Sequence, residues 1–104
     1  MDAFEVIGDP TRRRLIELLA EGERPAGALA SHFDTSFSAV SQQLRILSEA
    51  GIVASRREGR QRLYRIEADG LDPVAAWVAQ YARRFWERKL RGLGGVLERM
   101  KHGT

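Results

Sequence analysis

Within residues 36–51, SFSAVSQQLRILSEAG, the side chains of Ser38, Gln42 and Arg45 fall on one side of a helical wheel, with Ser41 on its flank. A Gln amide can pair with an adenine edge, an Arg fork with a guanine edge, and a Ser hydroxyl with a base or a phosphate. The chemistry on offer is hydrogen bonding to a polar, anionic partner. Catalysis is not expected. Ser36, Ser38 and Ser41 have no His in the same motif, no GxSxG, GxGxxG or P-loop is present, and Asp and Glu are scattered over expected solvent faces.

These groups act together only if the stretch is a helix. At 100° per residue Phe37, Val40, Leu44 and Leu47 fall on the opposite side, which predicts one buried stripe facing a core. Ser36 can cap the first turn, and Gly51 can take the left-handed conformation that ends the helix. Upstream, residues 2–7 predict a short helix with Phe4 and Ile7 on one side, closed by Gly8. Asp9-Pro10 restarts the chain as N-cap and first helical residue, and the helix that follows to about residue 20 buries Leu15, Ile16, Leu18 and Leu19. Arg12, Arg13 and Arg14 open that helix against its macrodipole, a local cost that suggests a further use such as a phosphate contact or an ion pair. Pro25 is expected to start a third helix to about Phe33, with Leu29 and Phe33 inward. Two short helices joined by a tight link at Asp34-Thr35 make a helix-turn-helix over residues 25–51.

Residues 52–66 read as a hairpin: a β-branched run from Ile52, turn chemistry at Glu58-Gly59-Arg60, and a second strand through Leu63-Tyr64-Arg65-Ile66. It carries Arg56, Arg57, Arg60, Arg62 and Arg65 against Glu58, a net charge of +4. A cationic hairpin directly after a base-reading helix suits a wing, whose backbone approaches phosphates or the minor groove while Arg supplies counter-charge. The net charge of the 104 residues is only +3, but residues 1–50 carry five Arg against eight acids, so the positive charge lies behind the candidate reading helix. Fifteen of the seventeen cations are Arg, which forks onto phosphate and base edges as Lys cannot.

Asp9-Pro10-Thr11-Arg12, residues 40–47 (VSQQLRIL), residues 49–53 (EAGIV), residues 56–60 (RREGR) and residues 63–66 (LYRI), in that order, resemble the ArsR/SmtB family of winged-helix bacterial repressors over roughly residues 2–67. The resemblance implies a homodimer on an operator, blocking transcription, often of its own operon. By position it assigns base reading to Ser38, Ser41, Gln42, Gln43 and Arg45 and the wing to Arg56, Arg57, Arg60 and Arg62; many members carry His at the place of Gln43. Metal-sensing members use Cys pairs in the third helix, or Asp and His along the first and last helices. With no Cys and only His32 and His102, this chain is expected to hold no metal and no other cofactor.

Residues 71–100 read as one long helix, with Val74, Trp77, Val78, Tyr81, Ala82 and Phe85 as a wide apolar band followed by Leu90, Leu93, Leu97 and Met100. From residue 74 to 91 it rises roughly 27 Å, more than a core this small can cover. Pairing with a second copy through Trp77, Tyr81, Phe85, Leu90 and Leu93, together with Phe4 and Ile7 of the first helix, would bury the excess. A core-only helix and an aromatic pocket for a small organic effector are the alternatives. Gly92, Gly94 and Gly95 predict a bend, a close helix contact or a break. The fold class is thus mainly α with a small β-hairpin, a single winged helix-turn-helix domain over residues 1–104 that dimerises through its terminal helices. Its partner is double-stranded DNA with a two-fold-symmetric operator. A winged helix that binds protein is disfavoured by the polar outer face of residues 36–51. With no run of 18 apolar residues and no leader, a cytoplasmic protein without membrane contact is expected.

Overall fold

The computed structural model describes the backbone of residues 1–102 and the side chains of residues 1–91. The chain divides into two compact units, Met1–Pro73 and a second beginning at Val74. In the first unit, helices α1 (Ala3–Ile7), α2 (Pro10–Ala20), α3 (Ala26–Ala30) and α4 (Phe37–Glu49) combine with strands β1 (Arg24–Pro25), β2 (Val53–Glu58) and β3 (Gln61–Ile66). A 3₁₀ turn over Ala68–Leu71 leads into α5 (Asp72–His102).

The helix starts follow the expected caps. Asp2 accepts from the Glu5 amide, Asp9 from the Arg12 amide with Pro10 leading the helix, and Ser36 from the Ala39 amide at 3.1 Å. Each satisfies a donor that has no helical partner. At the far end of α4, Gly51 has φ +74. Its amide donates to the Ser48 carbonyl and the Ile52 amide to the Leu47 carbonyl, both at 3.0 Å, which is the Schellman pattern. Leu47 and Ile52, the apolar pair that accompanies this motif, are both fully buried.

Val6, Leu15, Leu18, Leu19, Leu29, Val40, Leu44, Leu47, Ile52 and Val53 form the core. Several expectations need correction. Phe37 is not part of the buried stripe: it is 57% exposed, whereas Val40, Leu44 and Leu47 are at most 1% exposed. Helical side chains lean toward the N-terminus, so the first residue of the stripe projects past the core that begins at Val40. The third helix is shorter than expected, ending at Ala30, and Phe33 is only half-buried. Pro25 does not start it but lies in β1, pairing with Leu63 while Arg24 pairs with Tyr64. That strand sits at the edge of a sheet in the order β1-β3-β2, where a residue without an N–H is tolerated. Ile16 is half-buried rather than core; in α1, Ala3 and Val6 carry the buried side and Phe4 is exposed. The α5 backbone stays helical through Gly92, Gly94 and Gly95, so no break occurs there. Glycine weakens a helix by about 1 kcal/mol without removing its amide hydrogen bond. The side chains of Leu93, Leu97, Met100 and His102 lie outside the described residues.

Gly70 holds the 3₁₀ turn against the α4–β2 corner. A Cβ on it would overlap the Gly51 carbonyl oxygen and lie 2.7 Å from the Ile52 nitrogen. Both obstacles are backbone and cannot rotate away. Gly70→Ala is therefore expected to destabilise the first unit by about 2 kcal/mol, read as a lower thermal midpoint, since overpacked sites of this kind cost 1–3 kcal/mol. An unchanged midpoint would show that the corner yields without strain.

Candidate nucleic-acid interface

Helix α4 presents Ser38, Gln42, Arg45 and Glu49 outward, all exposed, with Ser41 half-buried on the flank. The Arg45 Nε donates to Glu49 Oε1 at 3.2 Å, an i,i+4 pair whose side chains are 73% and 68% exposed. Such a pair is worth a fraction of a kcal/mol, so Arg45 can exchange it for another acceptor at little cost.

Gln43 is placed differently. It is half-buried, and its side-chain oxygen accepts from Arg12 Nη1 at 2.9 Å. The same guanidinium donates through Nε to the Val6 carbonyl at 2.7 Å and through Nη2 to the Glu5 carbonyl at 3.3 Å. Arg13 Nη1 donates to the Ile7 carbonyl at 2.8 Å. Arg12 and Arg13, misplaced with respect to the α2 dipole, are well placed for the last carbonyls of α1, which a helix leaves unpaired. Arg14 meets Glu17 on the surface. The cost at the start of α2 was visible in the sequence; the acceptors were not, because they are backbone carbonyls of α1 and a side chain 31 positions away on α4. Arg12 thus joins α1, α2 and α4 at one point. Arg12→Ala is expected to lower stability by about 2 kcal/mol in thermal unfolding, since charged donors contribute roughly 1.5–3 kcal/mol per hydrogen bond. A midpoint equal to that of the parent would show that water replaces all three bonds.

Strands β2 and β3 pair from Val53↔Ile66 to Glu58↔Gln61, leaving the two-residue turn Gly59-Arg60. Gly59 has φ +64 while among the described residues no non-Gly residue has positive φ, the requirement of a turn with Gly in its first central position. Alternation along the strands separates the cations. Arg56 falls on the face where it contacts Glu23, at 2.8 and 3.3 Å, and Glu58 at 3.2 Å; Arg65 pairs with Glu67 at 3.2 Å. Chiefly through its hydrogen bond, Arg56 holds the Glu23 carboxyl below its ordinary value of 4.5, and Glu23 raises the Arg56 guanidinium in return. A lowered carboxylate value means the pairing is complete above the ordinary value and is lost only as pH falls through the depressed one.

Arg57 and Arg62 lie on the other face as direct cross-strand partners. Like charges so placed repel, a cost that a phosphate between them would remove. Arg57 Nε donates to the Gly59 carbonyl at 3.4 Å and Arg62 Nη1 to Ser55 Oγ at 3.1 Å. Among the described residues no acid lies within ion-pair distance of Arg57, Arg60 or Arg62. Between this wing and the start of α4 runs a groove of about 620 Å³, whose walls include Phe37, Ser41, Arg60, Arg62 and Tyr64. The groove was not foreseen, because it depends on Phe37 standing clear of the core.

In the second unit, Trp77, Val78, Tyr81, Phe85, Trp86 and Leu90 of α5 are each about half exposed. The Trp77 and Tyr81 ring centroids are 5.0 Å apart at 54°, and Lys89 Nζ lies 5.2 Å from the Trp86 ring centre. No helix among the described residues is long and apolar enough to cross a membrane.

Comparison with known proteins places this arrangement. Residues 9–55 match the family model described as bacterial regulatory protein, arsR family. The transcriptional repressor SdpR of Bacillus subtilis is 31% identical over 83 residues, 80% of this chain and 92% of that protein. A crystal structure described as a possible transcriptional regulator for arsenical resistance superposes with a TM-score of 0.73 at 47% identity, covering 78% of this chain and 84% of the other. The homodimeric winged helix-turn-helix DNA-binding domain of a possible ArsR-family regulator from Mycobacterium bovis, solved in solution, gives a TM-score of 0.61 at 30% identity, covering 81% and 78%.

Proposed function

The chain belongs to the arsR family of bacterial regulatory proteins, DNA-binding transcriptional regulators and not enzymes, and on that footing we propose that it acts as a homodimeric repressor at a two-fold-symmetric operator in the cytoplasm. The observation that carries this reading is the single exposed surface formed by the outer side of α4 and the uncompensated cations of the wing. Ser38, Gln42 and Arg45 read base edges in the major groove, with Ser41 at the flank. Arg57, Arg60 and Arg62 meet phosphates or the minor groove beside it. Gln43 and Arg56 support the surface from within: the first fixes α4 to α1 through Arg12, the second fixes the wing to Glu23.

The two units act as one functional domain. Dimerisation runs through the exposed aromatic band of α5 and Leu90, and Phe4 and Ile7 of α1 and Leu93 take part in the same association. Support comes from the band itself and from the homodimeric relative of Mycobacterium bovis. Two copies of α4 then enter successive major grooves about 34–36 Å apart. Repression is of the protein's own or a neighbouring operon, as steric blockade by a bound dimer requires only overlap with a promoter. The response is not to metal: relatives are described as regulators of arsenical resistance, but thiophilic ions call for thiolates, and this sequence has no Cys.

Selection of bound duplexes from a random pool at physiological salt tests the proposal. A symmetric consensus with half-sites one helical turn apart is expected. Steeply salt-dependent binding with no enrichment would replace it with an architectural, sequence-blind role.

A further inference from the structure

Phe37 is the one member of the α4 apolar stripe that the protein leaves uncovered, at 57% exposure beside three neighbours at 1% or less. A polar residue at the first position of α4 would leave no apolar surface in water; a phenyl ring does, unless a partner covers it. The ring lies in the groove of about 620 Å³ with Ser41 on its own helix and Arg60 and Arg62 across from it on the wing. The groove therefore brings the apolar ring of α4 to face the wing cations Arg60 and Arg62, with Gln61 and Tyr64 beside them and Pro25 to Ala28 forming its remaining wall. One DNA strand has the matching chemistry, phosphates along one edge and bases along the other. The N-terminal residues of a reading helix are those that reach base edges, and the only apolar group projecting from base edges into the major groove is the thymine C5-methyl.

We propose that Phe37 is a specificity-determining residue that recognises thymine, packing its ring on the C5-methyl while Arg60 and Arg62 hold the phosphates of the same strand. This rests on the reading of α4 as the base-reading helix, and adds to the hydrogen-bonding set a residue that selects by apolar contact.

The test replaces each half-site thymine of the selected operator in turn, symmetrically, by deoxyuridine, which removes the methyl and leaves every hydrogen-bonding group in place. At one position the parent protein should lose about fourfold in affinity per methyl, near sixteenfold for the two half-sites, the equivalent of one buried carbon each. Phe37→Ala should bind the two duplexes equally, Phe37→Gln likewise, and Phe37→Leu should retain the preference. All three should melt with the parent, because the ring is exposed. A parent protein indifferent to every such replacement, or a Phe37→Ala variant that keeps the parent's preference, overturns the assignment. If Gln42→Ala still relaxes specificity in that case, only Phe37's role is lost. If selection yields no consensus at all, the base-reading role of α4 falls with it.

Discussion

Replacing Arg45 or Gln42 by Ala should cost about 1–3 kcal/mol per half-site on the operator and little on random duplex, since each deletes a base-edge contact. Arg60→Ala should instead weaken cognate and random DNA alike and reduce the slope of affinity against salt by about one counterion per half-site, about two for the dimer. The division follows from position. Arg45 and Gln42 stand on the outer side of α4, and Arg45 is held only by an exposed pair with Glu49 that a base can displace. Arg60 occupies the second position of a tight turn at the wing tip, with no acid within ion-pair distance among the described residues. In a dimer each substitution is present twice, so Arg45→Ala should reduce operator affinity by about thirtyfold to about twenty-thousandfold. Titrations at three salt concentrations with cognate and scrambled duplexes check both parts. Equal losses on the two DNAs for Arg45, Gln42 and Arg60 would mean that the α4 face makes only backbone contacts. Arg56→Ala offers an internal contrast. Because Arg56 is already engaged by Glu23 and Glu58, its removal should perturb the wing's anchoring more than the count of released counterions.

Much of this surface was legible in the sequence because its determinants are local. Ser36, Gly51 and the period of Val40, Leu44 and Leu47 define α4 without reference to any other element, and Gly59 defines the turn of the wing. The parts that escaped depend on contacts distant in the chain. β1 is two residues long and includes a proline; it exists because β3 presents an unpaired edge opposite Arg24 and Pro25. Gln43 follows Gln42 directly, and its residue type alone suits base reading equally well. Only the reach of Arg12 across 31 positions turns it inward. Phe37 fits the apolar period yet stands outside the core, because a wheel projection records angle and ignores how far along the axis the covering elements extend. The wing cations were counted correctly, but only the strand register separates Arg56, compensated by Glu23, from Arg57 and Arg62, which face each other.

Tyr81→Glu should convert the proposed dimer to monomers in light scattering and reduce operator affinity by about 10²–10⁴-fold, because the second half-site would no longer be bound at the high effective concentration that linkage supplies. Four aromatic side chains of α5, Trp77, Tyr81, Phe85 and Trp86, are 48–65% exposed. At 150–250 Å² per aromatic side chain, they leave on the order of 400 Å² of apolar surface on one helix. A patch of that size is in the range of surfaces that are often functional, and contiguity is evident in the shallow depression that these four residues share with Val78 and Ala82. A carboxylate at its centre would have to be desolvated without a partner on association, so few alternative packings could accommodate it. The tyrosine is half exposed and lies outside the unit that holds α4 and the wing, so Met1–Pro73 should still fold cooperatively, its midpoint lowered only by what dimerisation contributes. Residual binding by the monomer should then resemble that of a single half-site, with the same base preferences and roughly half the salt dependence. A variant that remains dimeric would move the interface away from α5. A monomer that keeps full operator affinity would separate binding from dimerisation, and the operator would then need no second half-site.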